Sequence, residues 1–190
     1  MKKFILPLLV LAMTTFVISL TSCKSSSPAA AATPVPTCTI LGESADVNTN
    51  GWAAGYMAGN TITASSTIVA RSIWAKMPGT ANYFALAIYS DASGLPGTLM
   101  VHTDITADNG GWIKVSIPPT TLTAGNNYWL LAVGETGGVT DNTSATGSVA
   151  QYYFYGWNNI LSSGFPTDIS GAAWTAWVSS KNMLYVSTCE

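Results

Sequence analysis

Apolar and polar side chains alternate along much of this chain. Phe84, Leu86 and Ile88 interleave with Tyr83, Ala85, Ala87 and Tyr89, and Ile113, Val115 and Ile117 interleave with Trp112, Lys114 and Ser116. A repeat of two places each set on opposite faces of an extended strand. Runs of this kind, rich in Val, Ile, Thr and aromatics and bounded by Gly, Pro, Asn or Ser, predict strands near 39–47, 60–65, 67–77, 83–90, 99–106, 111–117, 127–134, 150–157, 173–179 and 183–189. No segment carries the period of a long helix. About ten strands in roughly 150 residues predict an all-β domain, an antiparallel β-sandwich of jelly-roll type.

Between the strands ending near Ser90 and starting near Leu99 lies Asp91-Ala92-Ser93-Gly94-Leu95-Pro96-Gly97. Asp and Ser bond nearby amides and Gly supplies positive φ, so this reads as a turn. A calcium loop of the EF-hand kind would need acidic or amide ligands at alternating positions and a later Glu, which are missing.

The first residues follow a different logic. Two lysines, an apolar run from Phe4 to Leu20 and small residues before a cysteine make the layout of a secretory signal. A retained anchor helix is the alternative, since the run is near the lower limit for a span. Leu20-Thr21-Ser22-Cys23 resembles the lipobox of bacterial lipoproteins. That resemblance implies cleavage after residue 22, acyl chains on Cys23, and anchoring to membrane lipid. Lys24 after the cysteine suggests the outer membrane or cell surface of the bacterial envelope. Residues 24–37, rich in Ser, Ala and Pro, read as a tether, which leaves 38–190 as the sandwich domain.

Of three cysteines, Cys38 and Cys189 remain, one at each end of that domain. In a disulfide-permissive compartment they predict a bridge stapling the first strand to the last. Two free buried thiols are the alternative; a metal site has little to build on with one histidine and no CxxC.

Composition narrows the partners. Charged residues make up 8% of the chain, about a third of the usual share. The net charge is −2 and no basic stripe exists, so a nucleic-acid backbone finds little to pair with. Aromatics reach 11%, with seven tryptophans, and Ser, Thr, Asn and Gly supply the polarity. This suits a rigid extracellular domain with a neutral surface.

Several phrases in order, IWAKM (Ile73–Met77), LAIYSDASGLPGTL (Leu86–Leu99), Gly111-Trp112, LTAGNNYWL (Leu122–Leu130) and the closing GFPTDISG…LYV, resemble a recurrent β-sandwich accessory domain. That type occurs in bacterial secreted, surface and phage-tail proteins, often beside carbohydrate-active modules. The likeness spans about Asn60 to Val186. It implies a fold, and it supplies no catalytic set.

Chemistry is sparse. His102 is the sole histidine, alternates with Met100 and Asp104, and reads as a surface imidazole; no G-x-S-x-G is present for a triad. The acidic residues Glu43, Asp46, Asp91, Asp104, Asp108, Glu135, Asp141 and Asp168 mostly sit among turn residues, where a hydrolytic pair would be accidental. The expectation is no catalytic residue, no cofactor and no metal ligand set, with a structural calcium open at Asp46, Asp108, Asp141 or Asp168.

The aromatics are more informative. Gln151 to Asn159, QYYFYGWNN, places aromatics on both faces of one strand, and Trp174 and Trp177 follow. A sandwich core takes one face; the other is covered by a loop, such as Ile160 to Gly171, or exposed. Exposed rings beside amides suit sugars, whose C–H faces stack on the ring. Trp157 with Asn158, Asn159 and Trp174 is the leading candidate platform. Trp74 and Trp112 are second, because alternation with Ile73 and Ile113 points them away from the core. Burial in core or cover is the competing reading for each tryptophan. The expected function is non-catalytic binding of a glycan or other envelope ligand. The alternatives are a structural or adhesive surface protein contacting another protein, and a carboxylate-pair hydrolase.

Overall fold

The computed structural model describes residues 37–45, 51–53, 56–142, 149–152, 156–177 and 181–190. The leader, Cys23, the tether up to Pro36, Asp46 and residues 153–155 lie outside the described residues.

Alternation becomes strands where it was clearest. In chain order the elements are β1 (Ile40–Gly42), β2 (Gly51–Ala53), β3 (Met57–Thr63), β4 (Ile68–Met77), β5 (Tyr83–Ala92), β6 (Leu95–His102), β7 (Thr106–Ala107), β8 (Gly111–Leu122), β9 (Asn127–Gly134), β10 (Gly137–Asn142), β11 (Val149–Tyr152), α1 (Trp157–Ser163), β12 (Thr175–Trp177), β13 (Lys181–Asn182) and β14 (Leu184–Ser187). One sheet runs β1-β14-β4-β8 and the other β12-β11-β3-β9-β5-β6, with β7 beside β5; β13-β10-β2 form a small third sheet. Take β1, β3, β4, β5, β6, β8, β9 and β14 as strands one to eight. The first sheet then reads one-eight-three-six and the second two-seven-four-five, the interlocked Greek keys of a jelly roll.

The main core lies between the two sheets. Ile73, Ala75 and Met77 of β4 and Leu184 and Val186 of β14 meet Phe84, Leu86 and Ile88 of β5 and Leu130 and Ala132 of β9. Phe84, Leu86 and Ile88 are fully buried, each contributing about 1.5–3 kcal/mol by leaving water.

A second apolar layer lies on the outer side of the larger sheet. Trp129, Leu131 and Val133 of β9 with Ala85, Ala87 and Tyr89 of β5 face outward, and Trp157, Ile160, Phe165 and Ile169 cover them. Strands buried on both faces lose their polar alternation, hence the continuous run Tyr128–Val133. The cover includes α1. Gly156 enters it in extended conformation, Trp157 and Ile160 share its buried side, and Gly164 at φ 69° ends it. The following loop pairs with edge strand β6, Leu99 N–H donating to Thr167 C=O (2.9 Å) and Ile169 N–H to Gly97 C=O (3.0 Å), so that edge is closed to other strands.

The stretch at Asp91 is a hairpin turn, tighter than expected because β5 and β6 extend to Ala92 and Leu95. Ser93 and Gly94 take φ of 57° and 86°, as a two-residue turn of the primed kind requires. Asp91 Oδ2 accepts the Gly94 N–H (3.0 Å) and its Oδ1 accepts Trp129 Nε1–H (2.9 Å).

Cys38 and Cys189 form a disulfide with Cα atoms 5.4 Å apart. It closes the ends of β1 and β14, where Thr39 N–H donates to Thr188 Oγ1 (3.0 Å) and Thr188 N–H to Thr39 C=O (3.1 Å).

Candidate functional site: an aromatic face on the four-stranded sheet

The register of the smaller sheet brings outward side chains into rows. Gly42 pairs with Tyr185, Tyr185 with Trp74, and Trp74 with Lys114; one step along, Lys76 pairs with Trp112. Neighbours Ile73, Leu184 and Val186 point into the core, so these residues point out. The Trp74 and Tyr185 rings stack with centroids 5.5 Å apart at 15°, and Trp112 leans on Tyr185 at 5.1 Å and 54°. Both spacings are in the favourable range for aromatic pairs. All three residues are half-buried.

The packing leaves electrostatic marks. Burial raises the Tyr185 phenol above its ordinary pKa, because the phenolate would lose water. Trp74 Nε1–H is fully buried without a hydrogen-bond partner among the described residues, a condition that costs on the order of 1–3 kcal/mol. Gly42 flanks the row at φ 128°, where a Cβ would lie 2.5 Å from Leu184 O and 2.8 Å from Tyr185 Cα. Only glycine fits there. Lys76 and Lys114 give the face its positive charge.

The expected leading platform is not assembled. Trp157 opens α1 and is 6% exposed, inside the cover of the larger sheet. Trp174 is half-buried against the same cover, its Nε1–H donating to Ile169 C=O (3.2 Å). The physical reason is the apolar outer face of β5 and β9, which needs large rings to shield it. Asn158 is exposed, and Asn159 Oδ1 accepts the Gly156 N–H (3.4 Å) at the start of α1. The second-choice pair fares differently: Trp74 and Trp112 share one outward face. Tyr185, which joins them, was not foreseen, although its alternation with Leu184 and Val186 marks it as outward.

Three of the carboxylates hold loop backbone in place. Asp108 accepts N–H groups of Gly79 (3.2 Å), Gly110 (2.9 Å) and Ala81 (2.9 Å), tying two loops together. Asp168 accepts from the Ser170 amide (2.8 Å), and the amide and hydroxyl of Ser170 hold it below the usual carboxylate pKa. Glu43 accepts the Ala45 N–H (3.1 Å), and Glu190 pairs with Arg71 at the surface. For Asp141 only the backbone is described. Among the described residues no three His, Cys, Asp or Glu side chains gather as a metal site. His102 is exposed on β6, its ring 5.6 Å from that of Phe165.

Among the described residues no helix is long and apolar enough to cross a membrane. No family model matches the chain, and neither curated proteins nor solved structures provide a match.

Proposed function

We propose that this chain is a non-catalytic binding module of the bacterial cell envelope, held to membrane lipid through Cys23, whose ligand is a glycan. The observation that carries the reading is the meeting of Trp74, Tyr185 and Trp112 on one outward sheet face. The rings lie against one another rather than in a coplanar row, so they offer a compact contact to one sugar unit. Sugar C–H groups would stack on the ring surface left open, and Lys76 and Lys114 supply donors for hydroxyl or carboxylate oxygens. Among the described residues, the clefts at Glu43, Asp104 and Asp91 are each lined by a single carboxylate, one fewer than glycoside hydrolysis uses.

The test is a glycan-array and polysaccharide screen of the whole chain beside a Trp74→Ala, Trp112→Ala double variant. Aromatic contacts contribute on the order of 0.5–1.5 kcal/mol each, so the variant should bind about tenfold or more weakly while its far-ultraviolet spectrum is unchanged. No binding by the parent, or equal binding by the folded variant, would sink the reading.

A protein-contact role has one observation in its favour. Ile40 and Val69, 49% and 41% exposed, are outward residues of the same sheet, and a partly apolar face of this kind also suits an adhesive contact. Sedimentation across a concentration series, with Ile40→Ser and Val69→Ser, separates self-contact from sugar binding.

A further inference from the structure

We propose that the cleft between β6 and α1 is a second binding site, independent of the aromatic face, for a small molecule with a flat apolar body and a protonated amine. The cleft encloses about 250 Å³, below the roughly 300–1,000 Å³ of pockets for larger ligands, so the occupant is small. Its floor is apolar: Ala85 from β5, Ile160 from α1 and Phe165 from the loop after it. Ile105, 45% exposed, forms an apolar wall. Gly164, the buried Thr103 and two titratable side chains, His102 and Asp104, complete it.

The polar groups set the ligand's charge. His102 Nδ1 lies 3.0 Å from Thr103 C=O. A carbonyl only accepts, so Nδ1 carries the proton, and in the neutral ring Nε2 keeps its lone pair. The Asp104 carboxylate is exposed and bonds no other group of the described residues. The side chains on the rim therefore supply acceptors and a negative charge, which select a hydrogen-bond donor carrying positive charge and disfavour anions. Phe165, whose ring already packs against His102 at 5.6 Å, adds an aromatic surface that attracts cations. Two metal-ligating side chains are too few for a metal centre, and the apolar floor has no role in one.

The chain has a single histidine, so one imidazole signal in a histidine-labelled sample of the whole chain reports on this cleft. Phenethylamine, 3-phenylpropionate and 2-phenylethanol present the same ring with positive, negative and neutral heads. Phenethylamine should move the His102 signal saturably, with a dissociation constant on the order of millimolar as expected for so small a ligand. 3-Phenylpropionate should bind several-fold more weakly, and the neutral alcohol in between. Asp104→Asn, an exposed substitution whose fold is checked by the amide spectrum, should weaken phenethylamine about two- to fivefold. No saturable shift with phenethylamine, equal binding of the anion, or unchanged affinity in Asp104→Asn would each overturn the proposal.

Discussion

Replacing Asn60 with Ala tests how the larger sheet is tied to the small third sheet. Asn60 and Asn182 are 1% and 2% exposed. The Asn60 side chain donates to Asn182 C=O through Nδ2–H and accepts the Asn182 N–H at Oδ1 (2.8 Å). It thus imitates a backbone bridge between β3 and β13, which share no ladder: β3 pairs with β9 and β11, and β13 with β10. Truncation removes both buried bonds, each loss costing about 1–3 kcal/mol. The expected loss is therefore about 2–6 kcal/mol, a large part of the 5–15 kcal/mol typical of a domain. Asn60 also borders a cleft of about 350 Å³ beside Gly42 and Glu43, and water entering from it would place the loss near the lower end. Asn60→Asp should be no milder, since it keeps the acceptor, loses the donor and buries a charge. Thr63→Ala is the control: Thr63 Oγ1 donates to Asn127 Oδ1 (2.7 Å) at the surface, and its loss should stay within about 0.5 kcal/mol. Urea unfolding followed by tryptophan fluorescence measures all three, with unchanged m-values showing that stability alone has moved. Hydrogen exchange at the Asn182 amide gives a local readout. A loss below about 1 kcal/mol for Asn60→Ala, with that amide equally protected, would refute the reasoning.

Reducing the Cys38–Cys189 bond opens a loop with a sequence separation of 151, worth about 5 kcal/mol in the loop-entropy view. Urea midpoints with and without reductant measure it, and a change under about 1 kcal/mol would mean that β1–β14 pairing alone holds the ends. Asp168 has a depressed folded-state pKa, so its stabilising contribution is present above about pH 4 and is lost as the pH falls through the folded value. The stability gap between the parent and Asp168→Asn should close below about pH 4, and a gap constant from pH 3 to 7 would contradict this. Phe165→Ala, at a residue 7% exposed in the outer cover, should cost about 3 kcal/mol and raise binding of a hydrophobic dye. Unchanged stability would show that the cover is dispensable.

Sequence reasoning succeeded where one strand faces one core. Alternation around Ile73 and Ile113 put Trp74 and Trp112 outside, and the register confirms the side. It failed where a tertiary neighbour decides. QYYFYGW reads as one strand, yet Trp157 starts a helix. A helix of seven residues is too short to show a period, and WNNILSS has no Ser, Thr or Asp capping residue before it. Whether a tryptophan is platform or cover depends on what packs over it, and that is set by β5 and β9, about 30 to 70 residues away in sequence. The possibility that residues 160–171 cover an aromatic face was legible; which face was not. β2, β7 and β13 are two or three residues long and β10, GGVTDN, holds a single apolar side chain larger than glycine, leaving too few apolar positions to mark any of them.

The disulfide also fixes how the domain bears load. Tension arriving along the chain toward Cys38 would otherwise enter at β1, an edge strand with three paired residues, and peel it one bond at a time. The sulfur bridge diverts that tension to Cys189 and the end of β14, which is hydrogen-bonded on both sides, to β1 and to β4. The aromatic face includes side chains from β14 and β4. A ligand gripped there and a pull from the N-terminal side would therefore strain the same inner strands, and the force between them would bypass the weakest strand of the sheet.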